Sequence, residues 1–582
     1  MSLTLLDWLT LTLILSTPIL VGIKYYRRAS SGIVEFFLSN RDMPWWLAGT
    51  SMVATTFAAD TPLVVTGLVA TNGIAGNWLW WNAGLGSMLT TAFFSRLWRR
   101  AGILTDIEFT ELRYTGRPAA FLRGFRAIYL GLAINCLIIG WVNLAMSKVL
   151  SVTLGWDKLT AVFVGLAATG LYSTLAGLRG VVITDFLLFV FAMIGSLGLS
   201  YFALAAPEVG GLNGLVDQLP PSTFNFLPNF GMPSGSIDNY SLPVTAFIAY
   251  LGVQWWANWY PGQEPGGGGY IAQRMFSTRN EQHSLFAMLW FTVAHYCLRP
   301  WPWIIVALAS LVLYPGLVDA EAGYAMVIRD YVPSGWKGLL VGTFFAAYMS
   351  TVSTQLNWGS SYLVNDVYTR FFRMDAHDSE LVVISRLTTV VLMLLSAVVT
   401  FYLDSIRQAW EFALECGAGV GLVLILRWYW WRITAISEIT ALIAAATGFF
   451  FVRLFTDISF PDSLLYLVPW TTACWLAVTW LTPAEPLEHL ILFYRRVRPA
   501  GPGWAPVAAA VDGKAKPPDE SLFRLGLNWF AGCIFLYGLL IGLGNLLFGS
   551  FTSVATSMLF VMLSATWLYR DLATRNWNTE EP

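Results

Sequence analysis

The chain alternates between long apolar runs and short polar or charged segments. Each run is roughly 20 residues long, which is the length that an α-helix needs to cross a bilayer. The pattern predicts about fifteen membrane-spanning helices. They cover residues 4–23, 44–70, 77–95, 124–150, 159–177, 181–205, 243–272, 284–314, 337–365, 382–403, 406–427, 433–455, 463–482, 524–547 and 550–569. We therefore expect an all-α polytopic membrane protein whose first run is a retained span, since it lacks the features of a cleavable signal.

The composition supports this class and excludes others. Hydrophobic residues make up 56% of the chain, only 12% are charged, and the mean hydropathy is +0.60. A soluble globular protein has about 25% charged residues. The net charge of −1 gives no indication of a nucleic-acid partner. The five cysteines occur singly within apolar runs, so they predict neither a disulfide framework nor a zinc site.

The distribution of basic residues predicts the topology. Most of the 34 Lys and Arg residues fall in alternate loops. Because cytoplasmic loops of membrane proteins are rich in Lys and Arg, the N-terminus is expected outside and the C-terminus in the cytoplasm. Three further basic residues, Lys148, Arg299 and Arg453, are assigned to spans or to their outer ends. We expect the protein in the plasma or inner membrane of a bacterium.

The spans and loops divide the chain into seven predicted segments. These are an N-terminal span with its inner loop (1–43), a first five-helix repeat (44–205), an outer loop (206–242), a second, inverted repeat (243–427), two further spans (428–483), a cytoplasmic linker (484–523) and a C-terminal helix pair with its tail (524–582).

Two spans contain residues that interrupt a helix. The second span has Asp60 and Pro62 at mid-length, and the seventh contains "YPGQEPGGGGY" at residues 260–270. Irregular backbone at membrane depth is tolerated only inside the protein or along a watery cavity. Broken helices at corresponding positions of two inverted halves are typical of the binding site of a secondary transporter. The alternative is that the seventh span ends near Tyr260 and that the glycines form a surface loop.

The ninth span has a polar face. Ser350, Thr354, Asn357 and Ser361 are spaced i, i+4, i+7 and i+11, and Thr351 lies beside them. A single hydroxyl in a membrane helix often only bonds the carbonyl four residues earlier. Five polar residues along one face indicate a binding surface instead.

Four stretches resemble the sodium/solute symporters, a family that includes sugar, proline, sialic acid and iodide carriers. "NRDMPWWLAGTSMVATTFAAD", "GLRGVVITD", "YIAQR" and "AAYMSTVSTQLNWGSSYLVNDVY" are similar to parts of its first, fifth, sixth and eighth core helices. The resemblance covers about residues 35–480. It implies the inverted five-helix repeat of the leucine transporter, with two broken helices, and sodium-coupled symport.

The resemblance also implies a sodium site between the first and eighth core helices. Its ligands would be the carbonyls of Ala54, Phe57 and Ala347 and the hydroxyls of Ser350 and Thr351. Hard cations prefer oxygen ligands, and carbonyls that end a half-helix lack their helical donors. Asp185 matches an aspartate that the family uses in ion coupling or release. Its alternative role is that of a capping or interfacial acid.

The solute positions depart from the known carriers. The resemblance places them at Thr56, Asp60, Thr61, Trp80, Glu264 and Glu411. The sugar carriers have amide and aromatic residues where this chain reads "GQEPGGGG", so we expect only a small polar solute that is sugar-like, an amino acid or an organic cation. Glu264 is expected to line the cavity next to the positive start of a half-helix at 266–270. The alternative is a loop acid that caps this helix.

The leading hypothesis is sodium-coupled uptake of such a solute by alternating access, with Na⁺ as coupling ion and no organic cofactor. One alternative is a transporter-like subunit or sensor that binds without translocating. Another is proton coupling through Asp60, Asp185, Glu264 or Glu411. An enzyme is not expected, because the four His residues include no pair at metal-ligand spacing.

Overall fold

The computed structural model describes residues 3–29, 38–103, 105–173, 178–228, 240–257, 265–511, 518, 520–575 and 577. Glu264 lies outside these residues. Within them, the regular structure is helical apart from one isolated bridge between Met43 and Thr278.

Thirteen helical segments, α1 to α13, form the first part of the described chain. They are α1 (Leu5–Ala29), α2 (Trp45–Thr55), α3 (Thr61–Asn72), α4 (78–101), α5 (Phe109–Arg113), α6 (Gly116–Leu154), α7 (Lys158–Ser173), α8 (Leu178–Ala205), α9 (Gly211–Gln218), α10 (Val244–Ala257), α11 (Gly269–Ser277), α12 (Glu281–Leu313) and α13 (Gly323–Tyr331).

Ten more, α14 to α23, complete it. They are α14 (Trp336–Phe372), α15 (Asp378–Phe401), α16 (Ile406–Cys416), α17 (Gly421–Tyr429), α18 (Ala435–Phe455), α19 (Leu464–Leu481), α20 (Leu487–Val497), α21 (Ala505–Ala510), α22 (Leu522–Phe548) and α23 (Phe551–Ala573).

Every predicted span overlaps a helix or a pair of helices. Among the described residues, ten helices are long and apolar enough to cross a membrane, or eleven if one bent pair is a single span. The all-helical membrane class is therefore confirmed. The number of fifteen crossings stays a prediction, because the broken and shorter helices do not meet these criteria by themselves.

The break in the second predicted span is present. Helix α2 ends at Thr55 and α3 begins at Thr61, with Pro62 in the first turn of α3. Proline is tolerated there because the first N–H groups of a helix have no partner within it. Residues 56–60, including Asp60, therefore form a non-helical segment inside the protein.

The seventh predicted span is also interrupted. Helix α10 is described as far as Ala257, residues 265–268 are not helical, and α11 begins at Gly269. Gly266 and Gly267 have φ angles of +89° and +84°, in the left-handed region that favours glycine. A side chain at Gly267 would place its Cβ 2.9 Å from Met275 Cε and 3.0 Å from Thr90 Cγ2. The glycines thus allow an irregular backbone to pack tightly just before α11.

A third interruption divides the predicted span 406–427 and was not expected. Helices α16 and α17 meet at a bend of 48°. Gly419, within the short segment between them, has a φ of +87°. The glycines of "CGAGVG" were the available signal, but an apolar run with small residues is compatible with a straight span.

Two segments predicted as a loop and a linker contain helices. Residues 206–242 include α9, and residues 484–523 include α20 and α21. In α20, Leu490, Phe493 and Val497 share one face and are all buried. This amphipathic face packs on the bundle, so part of the linker belongs to the folded core.

The helices that surround the two breaks form the centre of the molecule. Helices α8 and α12 pack against α2, and α14 packs against α1, α6, α7 and α8. The C-terminal pair α22–α23 is attached to this centre through α22. The Tyr537 hydroxyl donates to the carbonyl of Trp81 in α4 at 2.7 Å, and the Cys297 thiol of α12 donates to the carbonyl of Leu536 at 3.3 Å.

Candidate ion and solute site

A buried carboxylate joins four helices next to the first break. Asp185 of α8 accepts hydrogen bonds from the Ser51 hydroxyl at 2.7 Å and from the Ser350 hydroxyl at 2.5 Å. The Thr55 hydroxyl lies 3.4 Å from the same carboxylate. Arg274 of α11 is 3.8 Å away and forms an ion pair with it. Asp185 is therefore a fully enclosed residue of the helix junction.

Arg274 extends the same network. Its Nε donates to the Ser51 hydroxyl at 3.3 Å, and a terminal nitrogen donates to the Thr55 hydroxyl at 3.4 Å. Both hydroxyls belong to the last two turns of α2. Arg274 ends the "YIAQR" stretch, which indicated family resemblance but no ion-pair partner. The structure therefore shows a buried charge pair between α8 and α11 that is hydrogen-bonded to two hydroxyls of α2.

The five predicted sodium residues are all buried near this junction. The Thr351 hydroxyl of α14 donates to the carbonyl of Thr55, the last residue of α2, at 3.3 Å. The carbonyl of Ala54 accepts the N–H of Phe57 at 3.0 Å. The described contacts therefore connect the hydroxyl face of α14 with the carbonyl end of α2. Sequence reasoning did not single out Thr55, which contributes both a carbonyl and a hydroxyl here.

A cavity of about 100 Å³ adjoins this junction. Four of the six predicted solute residues line it, namely Thr56, Asp60, Thr61 and Trp80. Thr55 and Thr351 also line it, so the candidate ion and solute sites have residues in common. Both candidate sites lie at the break after α2, where the segment 56–60 leaves the helical path and lines the interior.

The polar groups at one end of the cavity surround Asp60. Its carboxylate accepts hydrogen bonds from the Trp410 indole at 3.1 Å and from the Thr61 hydroxyl at 3.3 Å. Trp80 forms part of the wall, where its indole donates to Asn77 at 3.0 Å and its ring stacks on Tyr296. These contacts fix the carboxylate and the ring in position.

Of the other two predicted solute residues, only Glu411 is described, and it does not line the cavity. Glu411 is paired with Arg407 at 2.8 Å, and its neighbour Trp410 lines the cavity instead. Glu264 lies outside the described residues. At the start of α11, the Gly269 N–H donates to the carboxylate of Asp106 at 3.0 Å, so Asp106 occupies the positive end of this half-helix.

Two cavity residues were missed by sequence reasoning. His295 and Arg299 of α12 line the cavity, and Arg299 is 1% exposed. The sequence placed Arg299 within a span or at its outer end, and the structure places it near the middle of α12. A π-helical turn at 294–298 followed by Pro300 makes the helix irregular at this point. A charged residue in the middle of an apolar run was the signal.

Comparison with known proteins supplies the context for this site. The chain is 24% identical over 468 residues to the sodium/glucose cotransporter of Vibrio parahaemolyticus, covering 75% of this chain and 82% of that protein. It is 26% identical over 411 residues to sodium/glucose cotransporter 4 of Danio rerio, covering 65% of this chain and only 60% of that protein.

The fold also matches a solved structure. A substrate-bound, outward-open Na⁺-coupled sialic acid symporter superimposes with a TM-score of 0.67 at 18% identity, covering 83% of this chain and 99% of that chain. A sequence model of the sodium:solute symporter family matches residues 36–448, which include both broken helices, Asp185 and the hydroxyl face of α14. The chain therefore belongs to the sodium:solute symporter family, a family of membrane transporters.

Proposed function

We propose that the protein takes up a small polar organic solute by alternating access, driven by sodium moving down its gradient through the same protein. The observation that carries this proposal is the position of the Thr351–Thr55 contact. It lies at the carbonyl end of α2 and also at the wall of the central cavity. An ion bound there would hold α2 against α14 while the solute occupies the adjoining space.

The proposed sodium ligands are the carbonyls of Ala54, Phe57 and Ala347 and the hydroxyls of Ser350 and Thr351. Their burial and the family membership support the proposal. Asp185 is proposed as the residue that couples ion binding to conformation, since it bonds Ser350 and pairs with Arg274. Thr56, Asp60, Thr61 and Trp80 are proposed to contact the solute. Glu264 and Glu411 stay proposals from the sequence alone.

The proposed architecture has two inverted five-helix repeats at 44–205 and 243–427. The breaks at corresponding positions, α2–α3 and α10–α11, support this division. Helices that are interrupted at the centre of a membrane can change their tilt on one side of the site without moving the other. We further propose fifteen crossings, an external N-terminus, a cytoplasmic C-terminus and a bacterial inner membrane.

The test is uptake by the purified full chain in proteoliposomes. A panel of radiolabelled sugars, amino acids and organic cations is offered under an inward sodium gradient, under an inward proton gradient and under neither. We expect uptake only with sodium. Uptake that follows the proton gradient would replace sodium as coupling ion. Sodium-dependent binding without any uptake would identify a sensor or a non-transporting subunit.

A further inference from the structure

The central cavity contains a cation, Arg299, that has no carboxylate within ion-pair distance among the described residues. One terminal nitrogen of Arg299 donates to the Val53 carbonyl at 3.1 Å and to the Thr56 hydroxyl at 3.2 Å. The other lies 3.4 Å from His295 Nε2, and the guanidinium is 5.1 Å from the Trp303 ring. The Nε of Arg299 is buried without a hydrogen-bond partner in the described part of the chain. None of these partners is a carboxylate.

The same cavity contains a carboxylate, Asp60, that also lacks an ion-pair partner among the described residues. Asp60 is 3% exposed, and in the described part of the chain its carboxylate accepts hydrogen bonds from two neutral donors, the Trp410 indole and the Thr61 hydroxyl. Among the described residues, no basic group forms an ion pair with it. Asp60 immediately precedes α3, whose N-terminus carries a partial positive charge that favours an anion.

Asp60 and Arg299 line one cavity but do not form an ion pair with each other. A buried charge without a counter-ion is strongly unfavourable, whereas a charge that meets its counter-ion inside the protein is much less so. A ligand that carries one charge of each sign would neutralise both residues at once. A neutral sugar would leave both residues without an ion-pair partner among the described residues, and an organic cation would leave Arg299 without one.

The size and walls of the cavity fit such a ligand. An apolar cavity of about 150 Å³ binds benzene, so the volume of about 100 Å³ here restricts the solute to a small molecule. Trp80, Trp141 and Trp410 contribute rings to the wall. The faces of such rings attract alkylated or primary ammonium groups.

We propose that the solute is a small zwitterion, an α-amino acid or a betaine, and this proposal rests on the proposed symport function. Its carboxylate binds the Arg299 guanidinium beside Thr56 and His295. Its ammonium group faces the Asp60 carboxylate and the indole rings. The carboxylate and the ammonium group together leave the occupied cavity without an unpaired charge.

The test uses sodium-driven uptake by proteoliposomes that contain the full chain. The panel comprises each of the twenty protein amino acids, glycine betaine, D-galactose, and two analogues of L-alanine that each lack one charge, propionate and ethylamine. We expect uptake of at least one zwitterion. We also expect propionate, ethylamine and galactose to compete with it about tenfold more weakly or worse, which corresponds to roughly 1.4 kcal/mol.

Charge variants locate the two contacts. Arg299→Gln should weaken zwitterion binding about tenfold or more. It should also reduce the preference for the zwitterion over ethylamine. Asp60→Asn should likewise weaken zwitterion binding and should reduce the preference for the zwitterion over propionate. Arg329→Gln and Asp330→Asn, which alter an ion pair on the exposed side of α13, serve as matched controls. Arg299→Lys keeps the positive charge and is used if the glutamine variant does not fold. It should retain the preference for the zwitterion over ethylamine.

The outcomes separate this proposal from the function on which it rests. Sodium-driven uptake of galactose or ethylamine, with no zwitterion taken up, would overturn the zwitterion proposal and leave symport intact. Unchanged charge preference in both Arg299→Gln and Asp60→Asn would also overturn it. If sodium neither shifts the melting temperature of the protein nor stimulates uptake of any compound, the proposed symport function itself fails.

Discussion

At the scale of single residues, the site depends on side chains that belong to two networks. Asp185 and Arg274 form a buried ion pair that is completed by hydroxyls from α2 and α14. Arg299 and Asp60 face the cavity without ion-pair partners among the described residues. In the first network each charge has an ion-pair partner, and in the second no described residue supplies one. Removal of one charge should therefore affect stability in the first network and solute binding in the second.

We expect Asp185→Asn to destabilise the protein by about 3–5 kcal/mol, because Arg274 would lose its buried counter-ion. The double variant Asp185→Asn/Arg274→Gln should recover part of this loss. Melting temperatures of the purified proteins measure the effect. If Asp185 also couples ion binding, sodium should stimulate uptake only weakly in both variants. Normal stimulation by sodium in the double variant would reject that role.

Ser350→Ala and Thr351→Ala should each weaken sodium activation of uptake while the protein still folds, although Ser350→Ala also removes a hydrogen bond to Asp185. Each substitution removes one proposed ligand oxygen, and an unmade polar contact costs about 1–3 kcal/mol. The measurement is the sodium concentration that gives half-maximal uptake. Thr343→Ala is the control, since among the described residues its hydroxyl bonds only the Leu340 carbonyl of its own helix. An unchanged half-maximal concentration in both variants would exclude this sodium site.

The sequence was informative for residues whose role depends on neighbours along the chain. The face formed by Ser350, Thr351 and Thr354 follows from helical spacing alone. The roles of Arg274 and Arg299 depend on contacts with α2, which lies more than 200 positions away. Sequence reasoning therefore found the hydroxyls but not the cations, although the central position of Arg299 in an apolar run was available as evidence.

At the scale of helices, the interrupted segments are the features that position the site. The breaks after α2 and α10 could be predicted because Pro62 and four consecutive glycines are incompatible with a regular span. The bend between α16 and α17 could not, because its glycines lie in an otherwise apolar run. Helix α16, which ends at this bend, carries Trp410, whose indole donates to Asp60.

Gly419→Ala should lower the free energy of unfolding by about 1–3 kcal/mol, a typical cost of backbone strain at such a position. Its φ is +87°, and the new Cβ would lie only 2.5 Å from Thr471 Cβ. Gly155→Ala is the matched control, because Gly155 has a φ of +74° but open space around it. Thermal unfolding should show a clearly larger loss for Gly419→Ala. Equal losses would mean that packing against Thr471 contributes nothing.

At the scale of the whole molecule, the charge distribution predicts which surfaces face the cytoplasm. Single cysteines at Asn225, Ala509 and Ala573 test this. We expect an impermeant thiol reagent to label the Asn225→Cys variant in intact cells and to leave Ala509→Cys and Ala573→Cys unlabelled until the cells are opened. The unmodified protein measures the background from its native cysteines. Labelling of all three in intact cells would contradict the predicted topology.

The attachment of the C-terminal pair has a consequence for the mechanics of transport. Helix α22 bonds α4 through Trp81 and α12 through Cys297, and these two helices carry Trp80, His295 and Arg299 of the cavity wall. We propose that they stay in place during transport. The interrupted segments α2–α3 and α16–α17 carry Asp60 and Trp410 of the same cavity. If these segments move in each transport cycle, the solute stays bound to the residues of α4 and α12 until they have moved.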